Sequence, residues 1–244
     1  MSGHSKWSTI KRKKGEKDGA RAKIFTKISR EIIVCIKEHG ADPASNSKLA
    51  TLITKAKANN IPNDNIDRLI KKAAGEGDKN NYENCVYEGY GPNGVAVIVD
   101  CLTDNRNRTA GEVRHYFDKY GGNLGTTGCV SFLFSLKGII VLDNEDEDIN
   151  EDKAMEDILE AGGDDFSFEE GCVEITTDPN NVGEVAEKLT GMGYKVVSAE
   201  AEQVPSTYVK LTDEDQIKKM GLMLETMDDN DDVQNVWHNW EEPI

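Results

Sequence analysis

A glycine motif offers the first candidate for chemistry in this 244-residue sequence. Gly89, Gly91 and Gly94 match the G-x-G-x-x-G pattern of dinucleotide-binding proteins. That pattern needs a helix N-terminus after the glycines, directed at the pyrophosphate. Here the glycines lead into VAVIVD, which is typical of a strand. We therefore predict a hairpin turn, and the phosphate-binding G-x-x-x-x-G-K-[ST] motif is absent from the sequence.

Two acidic runs could in principle bind calcium. Neither Asp143–Asp152 nor Asp228–Asp232 has the glycine at position six and the glutamate at position twelve of an EF-hand loop. We predict that both are solvated acidic loops. The Ser2-Gly3-His4 N-terminus could hold Cu(II) or Ni(II) through nitrogen ligands if Met1 is removed, but we expect no functional metal site.

Catalytic constellations are missing at the level of sequence. The sequence has no G-x-S-x-G and no H-E-x-x-H, and its histidines are scattered as His4, His39, His115 and His238. We expect no enzyme, no catalytic residue, no cofactor and no small-molecule substrate. An enzyme with a site assembled between two α/β domains stays open as an alternative.

Charge is distributed unevenly along the chain. The formal net charge is −16, yet residues 1–72 contain 17 basic and 7 acidic residues, while the remainder contains 12 basic and 38 acidic residues. Such asymmetry indicates that the basic part binds a polyanion. An ordinary solvated surface is the alternative. We prefer the polyanion because the acidic remainder should otherwise attract the basic part onto itself.

The predicted nucleic-acid surface joins a basic tail to the first helix. On a helical wheel the basic residues of that helix form a stripe opposite Ile24, Ile28 and Ile32, so the stripe should face away from the helical core. Trp7 lies among the basic residues and could stack on an unpaired base. The predicted contacts are Lys6, Trp7, Lys11, Arg12, Lys13, Lys14, Lys17, Arg21, Lys23, Lys27 and Arg30. Lysines suit phosphate contact with DNA or RNA, and no base-reading helix stands out.

Arg106 and Arg108 form a possible second anion patch, because they precede a predicted helix whose capping box is Thr109 and Glu112. We favour the alternative that these arginines pair with neighbouring carboxylates.

The elements predict an α+β fold with several domains. After a basic tail (1–19), three helices form a domain over 20–80; Asp42 caps the second helix, and the third follows Pro62. From Cys85 onward strands alternate with helices. Residues 137–205 follow the β-α-β-β-α-β order of a ferredoxin-like domain, inserted in an α/β domain made of 85–136 and 206–244.

Composition excludes several classes of protein. No apolar run is long enough to span a membrane, and the N-terminus lacks the apolar segment of a secretory signal. Five scattered cysteines without a C-x-x-C pair indicate reduced, mostly buried thiols. We expect a cytoplasmic protein without a membrane partner.

Six segments resemble the YebC/PmpR family. They are GHSKW (3–7), KIFTKISREI (23–32), NNIPNDNIDRLIKKAAG (59–75), YEGYGPNGVAVIV (87–99), TDNRNRTAGEVRHYF (103–117) and GGNLG (121–125). The resemblance covers effectively the whole chain. It implies a helical N-terminal domain and two α/β domains, the third inserted in the second.

The resemblance also implies a function. It places Gly3, His4, Ser5, Lys6 and Trp7 at the nucleic acid, and it adds weight to Arg106 and Arg108 without indicating their partner. The family is usually described as DNA-binding transcriptional regulators. The alternative is a ribosome-associated translation factor that binds rRNA or tRNA and relieves stalling on proline-rich sequences.

Overall fold

The computed structural model describes residues 19–75, 81–146 and 148–242. Within these ranges the helices are α1 (Gly19–His39), α2 (Ser47–Ala58), α3 (Asn63–Ala74), α4 (Arg106–Lys119), α5 (Glu151–Ala161), α6 (Val182–Gly191) and α7 (Glu214–Asp228). The strands are β1 (Glu83–Tyr90), β2 (Ala96–Thr103), β3 (Asn123–Leu124), β4 (Phe134–Asp143), β5 (Asp165–Glu169), β6 (Cys172–Thr177), β7 (Val196–Pro205), β8 (Val209–Lys210), β9 (Val233–His238) and β10 (Trp240–Glu241). The predicted α+β class is confirmed.

The described chain forms two compact units. The first unit contains residues 19–129 and Asp213–Val236, and the second contains Val130–Thr212 and 237–242. The second unit therefore interrupts the first along the chain. The finer domain limits predicted above, including 137–205, remain a proposal.

The three N-terminal helices pack through an apolar core. Buried members of that core include Ile28, Ile32 and Cys35 from α1, Leu49 from α2 and Ile66 from α3. The predicted amphipathic orientation of α1 is confirmed, because its apolar face lies inside this core. The helix ends where Gly40 adopts a φ of +89°.

The cap of α2 differs from the prediction. Residues 43–45 form a turn in which the Asp42 carboxylate accepts from Ala44 N at 3.0 Å. The helix begins later, and the buried side chain of Asn46 accepts from Leu49 N at 3.0 Å. The Asn46 amide also donates to Gly40 O at 2.8 Å. One asparagine thus satisfies the backbone at both ends of the α1–α2 turn, which Asp42 cannot do.

A four-stranded sheet forms the other part of the first unit, in the order β3-β1-β2-β9. The β1–β2 pair is an antiparallel hairpin in which Tyr90 faces Ala96, so the predicted hairpin is confirmed. Gly94 has a φ of +78° in its turn. A Cβ on Gly89 would lie 2.8 Å from the Phe117 ring. The glycine motif therefore serves the turn and the packing of α4 against β1.

The second unit contains a ferredoxin-like sheet with the order β5-β6-β4-β7, in which every pair is antiparallel. Its strands and helices follow the predicted β-α-β-β-α-β order. Ile140 and Ile175 from the sheet bury against Ile158 of α5 and Leu189 of α6. This cluster of buried apolar side chains packs the two helices against one face of the sheet.

Candidate nucleic-acid interface

Most of the predicted nucleic-acid contacts lie outside the described residues. These are Gly3, His4, Ser5, Lys6, Trp7, Lys11, Arg12, Lys13, Lys14 and Lys17. Arg21 belongs to α1, but its side chain is also outside the described part of the structure. Lys23, Lys27 and Arg30 are described, and they form the basic stripe of α1.

In the structure the basic stripe of α1 contacts three aspartates of the same unit. They are Asp228 at the end of α7, and Asp229 and Asp232 directly after it. Lys23 Nζ lies 2.5 Å from Asp229 Oδ1. Lys27 donates to the backbone carbonyl of Asp228 at 2.9 Å, and its ammonium is 3.9 Å from that residue's carboxylate. Arg30 Nη1 lies 2.5 Å from Asp232 Oδ1. The stripe faces away from the helical core as expected, but it faces carboxylates of the protein itself.

Asp232 lies at the centre of a charged cluster and is itself almost closed to solvent. Its side chain is 4% exposed. Besides Arg30, its carboxylate accepts from Arg108 Nη2 at 2.7 Å, from Thr109 Oγ1 at 2.7 Å and from Thr103 Oγ1 at 3.0 Å. Asp228–Asp232 was predicted to be a solvated loop, and that prediction is wrong for Asp232 because two arginines and two hydroxyls hold it in the interior.

The Asp232 cluster stabilises the ionised form of its carboxyl group. Burial by itself raises the pKa of Asp232, because a charged carboxylate loses its hydration. The hydrogen bonds from Arg108, Thr109, Arg30 and Thr103 more than offset burial and lower that pKa to about 2. The same contacts raise the pKa of Arg108, which also pairs with Asp104 at 2.8 Å. Asp232 is therefore ionised at neutral pH.

The start of α4 positions Arg108 and Thr109 beside Asp232. Asn105 caps α4 by accepting from Arg108 N at 3.1 Å, so the predicted Thr109–Glu112 capping box is wrong. The helix begins four residues earlier than that box requires. As a result, Thr109 lies one turn inside α4, fully buried, and its hydroxyl contacts Asp232 instead of a free backbone amide.

The loop that carries Asp232 is fixed by its backbone and by Asn230. Leu102 N donates to Asp232 O at 2.8 Å, and Asp232 N donates to Asn230 Oδ1 at 2.8 Å. The Asn230 amide donates to Glu112 Oε2 at 2.8 Å. Glu112 thus anchors this loop to α4 rather than capping that helix.

The two arginines of the possible second anion patch, Arg106 and Arg108, have different surroundings. Arg108 pairs with Asp104 and Asp232, which agrees with the alternative favoured above. Arg106 is exposed and makes no ion pair with any described residue, and its backbone carbonyl accepts from Tyr87 Oη at 3.3 Å. Its role as an anion contact stays a prediction.

Exposed cations remain on the other two N-terminal helices. Lys57, Lys71 and Lys72 are exposed, and no carboxylate of the described residues pairs with them. Arg68 is exposed and donates to Asp64 O at 3.2 Å. Lys55 differs, since its ammonium lies 4.0 Å from Glu31. Lys57 of α2 and Arg68, Lys71 and Lys72 of α3 thus present cations on the exposed surface of these two helices.

The remaining candidates for chemistry are the histidines, the cysteines and the acidic side chains outside the Asp232 cluster. No three His, Cys, Asp or Glu side chains of the described residues converge as metal ligands. His238 is buried and lies 3.5 Å from Glu242, whereas His115 is exposed. No described helix is both long and apolar enough to cross a membrane. All five cysteines are free thiols and four of them are buried, as predicted.

Sequence reasoning missed the residues that organise this region, namely Asp228, Asp229 and Asp232. Their signal was present only as opposite charge, since 228–232 contains four aspartates and α1 contains Lys23, Lys27 and Arg30. No sequence rule indicates that segments 200 residues apart will meet, so the pairing could be recognised only after folding.

The comparisons with known proteins cover both parts of the chain. A family model described as the TACO1/YebC protein N-terminal domain matches residues 5–76. A second model, the TACO1/YebC second and third domain, matches residues 82–240.

Individual relatives extend over nearly the full length. A protein from Ruminiclostridium cellulolyticum is 56% identical over 242 residues, covering 99% of this chain and 97% of the relative. One from Finegoldia magna is 54% identical and covers 99% of both chains. Each is named a probable transcriptional regulatory protein. The crystal structure of a conserved hypothetical protein from Aquifex aeolicus superposes with a TM-score of 0.85 at 42% identity, covering 94% of both chains. This chain therefore belongs to the TACO1/YebC family.

Proposed function

We propose that this protein is a non-enzymatic, nucleic-acid-binding regulator of gene expression that acts on DNA in transcription. The single observation that supports the proposal most is the charge polarity of the chain. Residues 1–72 have a net charge of +10 and the remainder has −26. A cationic segment of this size binds phosphates by releasing condensed counterions. The names of the relatives agree with a role in transcription.

The proposed contact surface combines the N-terminal basic residues with the exposed cations of α3. Lys71 and Lys72 lie in the last turn of that helix, and they are available to a ligand because no described carboxylate pairs with them. Arg30 is not part of the surface in this proposal, since its side chain is 14% exposed and bonded to Asp232 and Leu102 O.

The decisive test is a competition binding experiment with the full-length protein at physiological salt. Intact ribosomes and a promoter-length DNA duplex compete for the protein in one tube, and scrambled duplex serves as a further competitor. Preference for one duplex over scrambled DNA supports transcriptional regulation. Preference for ribosomes overturns the DNA assignment and makes general polyanion binding the source of any DNA affinity.

The basic residues can be tested with a charge-matched pair of variants. Changing Lys11, Arg12, Lys13 and Lys14 together to alanine should weaken binding about equally for all sequences and flatten its salt dependence. The control changes four lysines outside the basic segment to alanine: Lys137, Lys153, Lys188 and Lys219. Both variants lose four positive charges, so a weaker salt dependence in the first alone identifies direct phosphate contacts. An unchanged salt slope in the first variant contradicts the proposal.

A ribosome-associated translation factor is the second candidate. The exposed cations described on α2 and α3 are mainly lysines, which contact phosphates without reading bases and suit RNA as well as DNA. If the protein is a translation factor, it should bind ribosomes in the competition experiment. The variant in which Lys11, Arg12, Lys13 and Lys14 are changed to alanine should then lose that binding.

A further inference from the structure

The arginines of the acidic part of the chain are concentrated in one helix. Residues 73–244 contain three arginines, Arg106, Arg108 and Arg114, and all of them belong to α4. Arg108 pairs with two carboxylates, as described above. Arg114 is exposed, and it makes no ion pair with any residue that the structure describes. Although the chain has 45 acidic residues, Arg114 is thus open to an anion from outside.

Gly111 lies at the centre of the exposed side of α4. Helix geometry places it opposite Thr109, Val113 and Phe117, which are the buried residues of this helix. A Cβ added to Gly111 would meet nothing within 4 Å among the described residues, so packing does not require a glycine here. Glycine is also one of the least favourable residues in the interior of a helix. Close approach of an outside molecule to the helix backbone accounts for a glycine at this place.

Side chains that carry hydrogen-bond donors surround Gly111. Asn107 precedes it by one helical turn, Arg114 and His115 follow it by one turn, and all three are exposed. An amide, a guanidinium and an imidazole can each donate to a phosphate oxygen. We call these four residues the Gly111 face. Asp118, which is exposed one turn after Arg114, ends the face with a carboxylate.

The Gly111 face lies close to the cationic N-terminal part of the chain. Arg30 of α1 and Arg108 of α4 share the Asp232 carboxylate, so the first turn of α4 lies beside α1. Gly111 follows Arg108 by three residues, which is roughly 5 Å along the helix axis. Both helices belong to the first unit. An extended polyanion bound to the basic N-terminal residues can therefore also contact α4.

We propose that the Gly111 face is a second contact site for the phosphodiester backbone of a nucleic acid, with Arg114 as its charged contact. This inference rests on the proposed function and adds a site outside residues 1–72. Arginine suits the role because its planar guanidinium can donate two parallel hydrogen bonds to a phosphate. Gly111 provides the gap in which the phosphodiester backbone lies against the helix. Phosphate contacts do not read bases, so the site strengthens binding without setting a sequence preference.

The first test fills the gap with an uncharged side chain. Gly111→Gln should keep or raise the melting temperature, because the position is open and glutamine favours helices more than glycine does. Binding of the full-length protein is measured by fluorescence anisotropy with a short DNA duplex and with a single-stranded RNA of equal length. We expect Gly111→Gln to weaken binding by on the order of fivefold to tenfold, since the longer side chain keeps the phosphodiester backbone away from the helix.

The matched control for this variant is Gly183→Gln. Gly183 is an exposed glycine of α6, and a Cβ added to it would also meet nothing within 4 Å. It lies outside the Gly111 face, so Gly183→Gln should bind like the natural protein. A loss confined to the duplex or to the RNA identifies the nucleic acid that the face contacts.

The second test removes the charge of the face. Arg114→Gln should weaken binding severalfold and reduce the slope of log K against log salt by roughly 1, because one phosphate contact is lost. Lys153→Gln removes the same charge from an exposed position of α5 and controls for net charge.

The two proposals can fail separately. If the natural protein binds nucleic acid and either Gly111→Gln or Arg114→Gln binds like its control, the inference is overturned and the proposed function is unaffected. If the natural protein binds neither the duplex nor the RNA, the proposed function is wrong and the inference falls with it.

Discussion

The Asp232 cluster of the first unit and the apolar cluster around Ile158 in the second unit are held together by different kinds of side chain. Asp232 is buried with Arg30 and accepts four side-chain hydrogen bonds. The cluster around Ile158 is a group of buried apolar residues. In the same unit the ion pair of Lys188 with Glu184 is largely exposed, at 46% and 68% of the side chains. Carboxylates of one acidic chain thus occur both in a solvated ion pair and in an internal anchor.

The two regions differ in how much stability a substitution should cost. A buried carboxylate that loses its partners, or a buried arginine that loses its carboxylate, retains an uncompensated charge away from water. An apolar core loses dispersion and transfer energy in proportion to the atoms removed. An exposed pair loses little, because water and salt already screen it. The expected loss of stability therefore decreases from the Asp232 cluster to the apolar cluster around Ile158 and then to the exposed pairs.

The largest effect is expected from Asp232→Asn. This change leaves Arg30 and Arg108 without their shared carboxylate and should lower the free energy of unfolding by about 3 to 5 kcal/mol. Hydrogen exchange of the β1 and β2 amides in increasing urea measures it. Asp104→Asn is the control, because it removes a 44% exposed partner of the same Arg108 and should cost less than about 1 kcal/mol. Equal losses would show that the Asp232 cluster is not an internal anchor.

A core truncation in the second unit should have the next largest effect. Ile158→Ala removes a fully buried side chain between α5 and the sheet, and we expect a loss of about 2 to 4 kcal/mol. Urea unfolding followed by circular dichroism provides the measurement. Met155→Ala on the same helix is the control, since Met155 is 43% exposed and its loss should stay within about 0.5 kcal/mol. A comparable loss for both variants contradicts the assigned burial.

The ionisation of Asp232 should make the stability of the first unit depend on pH. The pKa of Asp232 is about 2 in the folded protein, below that of an unfolded aspartate. Its ionised form therefore stabilises the fold above about pH 4, and this contribution, about 2 kcal/mol, disappears as the pH falls towards 2. The stability difference between the natural protein and Asp232→Asn should narrow by about 1.5 kcal/mol between pH 6 and pH 2.5. A difference that stays constant with pH would exclude this linkage.

The smallest effect is expected at an exposed pair. Lys188 lowers the pKa of Glu184, yet both side chains are in contact with solvent. Glu184→Gln should therefore leave the urea midpoint at pH 7 unchanged within error, at both low and high salt. A clear, salt-sensitive loss would mean that exposed charges of the second unit contribute to its fold after all.

Local patterns predicted most of the elements correctly. The 3.6-residue period of α1, the glycine-containing turn of the β1–β2 hairpin and the ferredoxin-like order are all properties of short segments. The caps of α2 and α4 were predicted wrongly for one shared reason. Asn46 and Thr109 each have partners outside their own helix turn, and a capping rule considers only neighbours in sequence.

The candidate site, like the fold, was predicted only in part from the sequence. The sequence by itself determined that the first 72 residues are cationic, that α1 presents a basic stripe away from its apolar face, and that the remainder is acidic. Tertiary structure alone decided that Lys23, Lys27 and Arg30 meet Asp229, Asp228 and Asp232. The physical reason is that helix periodicity arises from contacts three or four residues apart, whereas an ion pair depends on distance in space. About two hundred residues separate these partners, and only the packing of α1 beside β2 and the end of α7 brings them together.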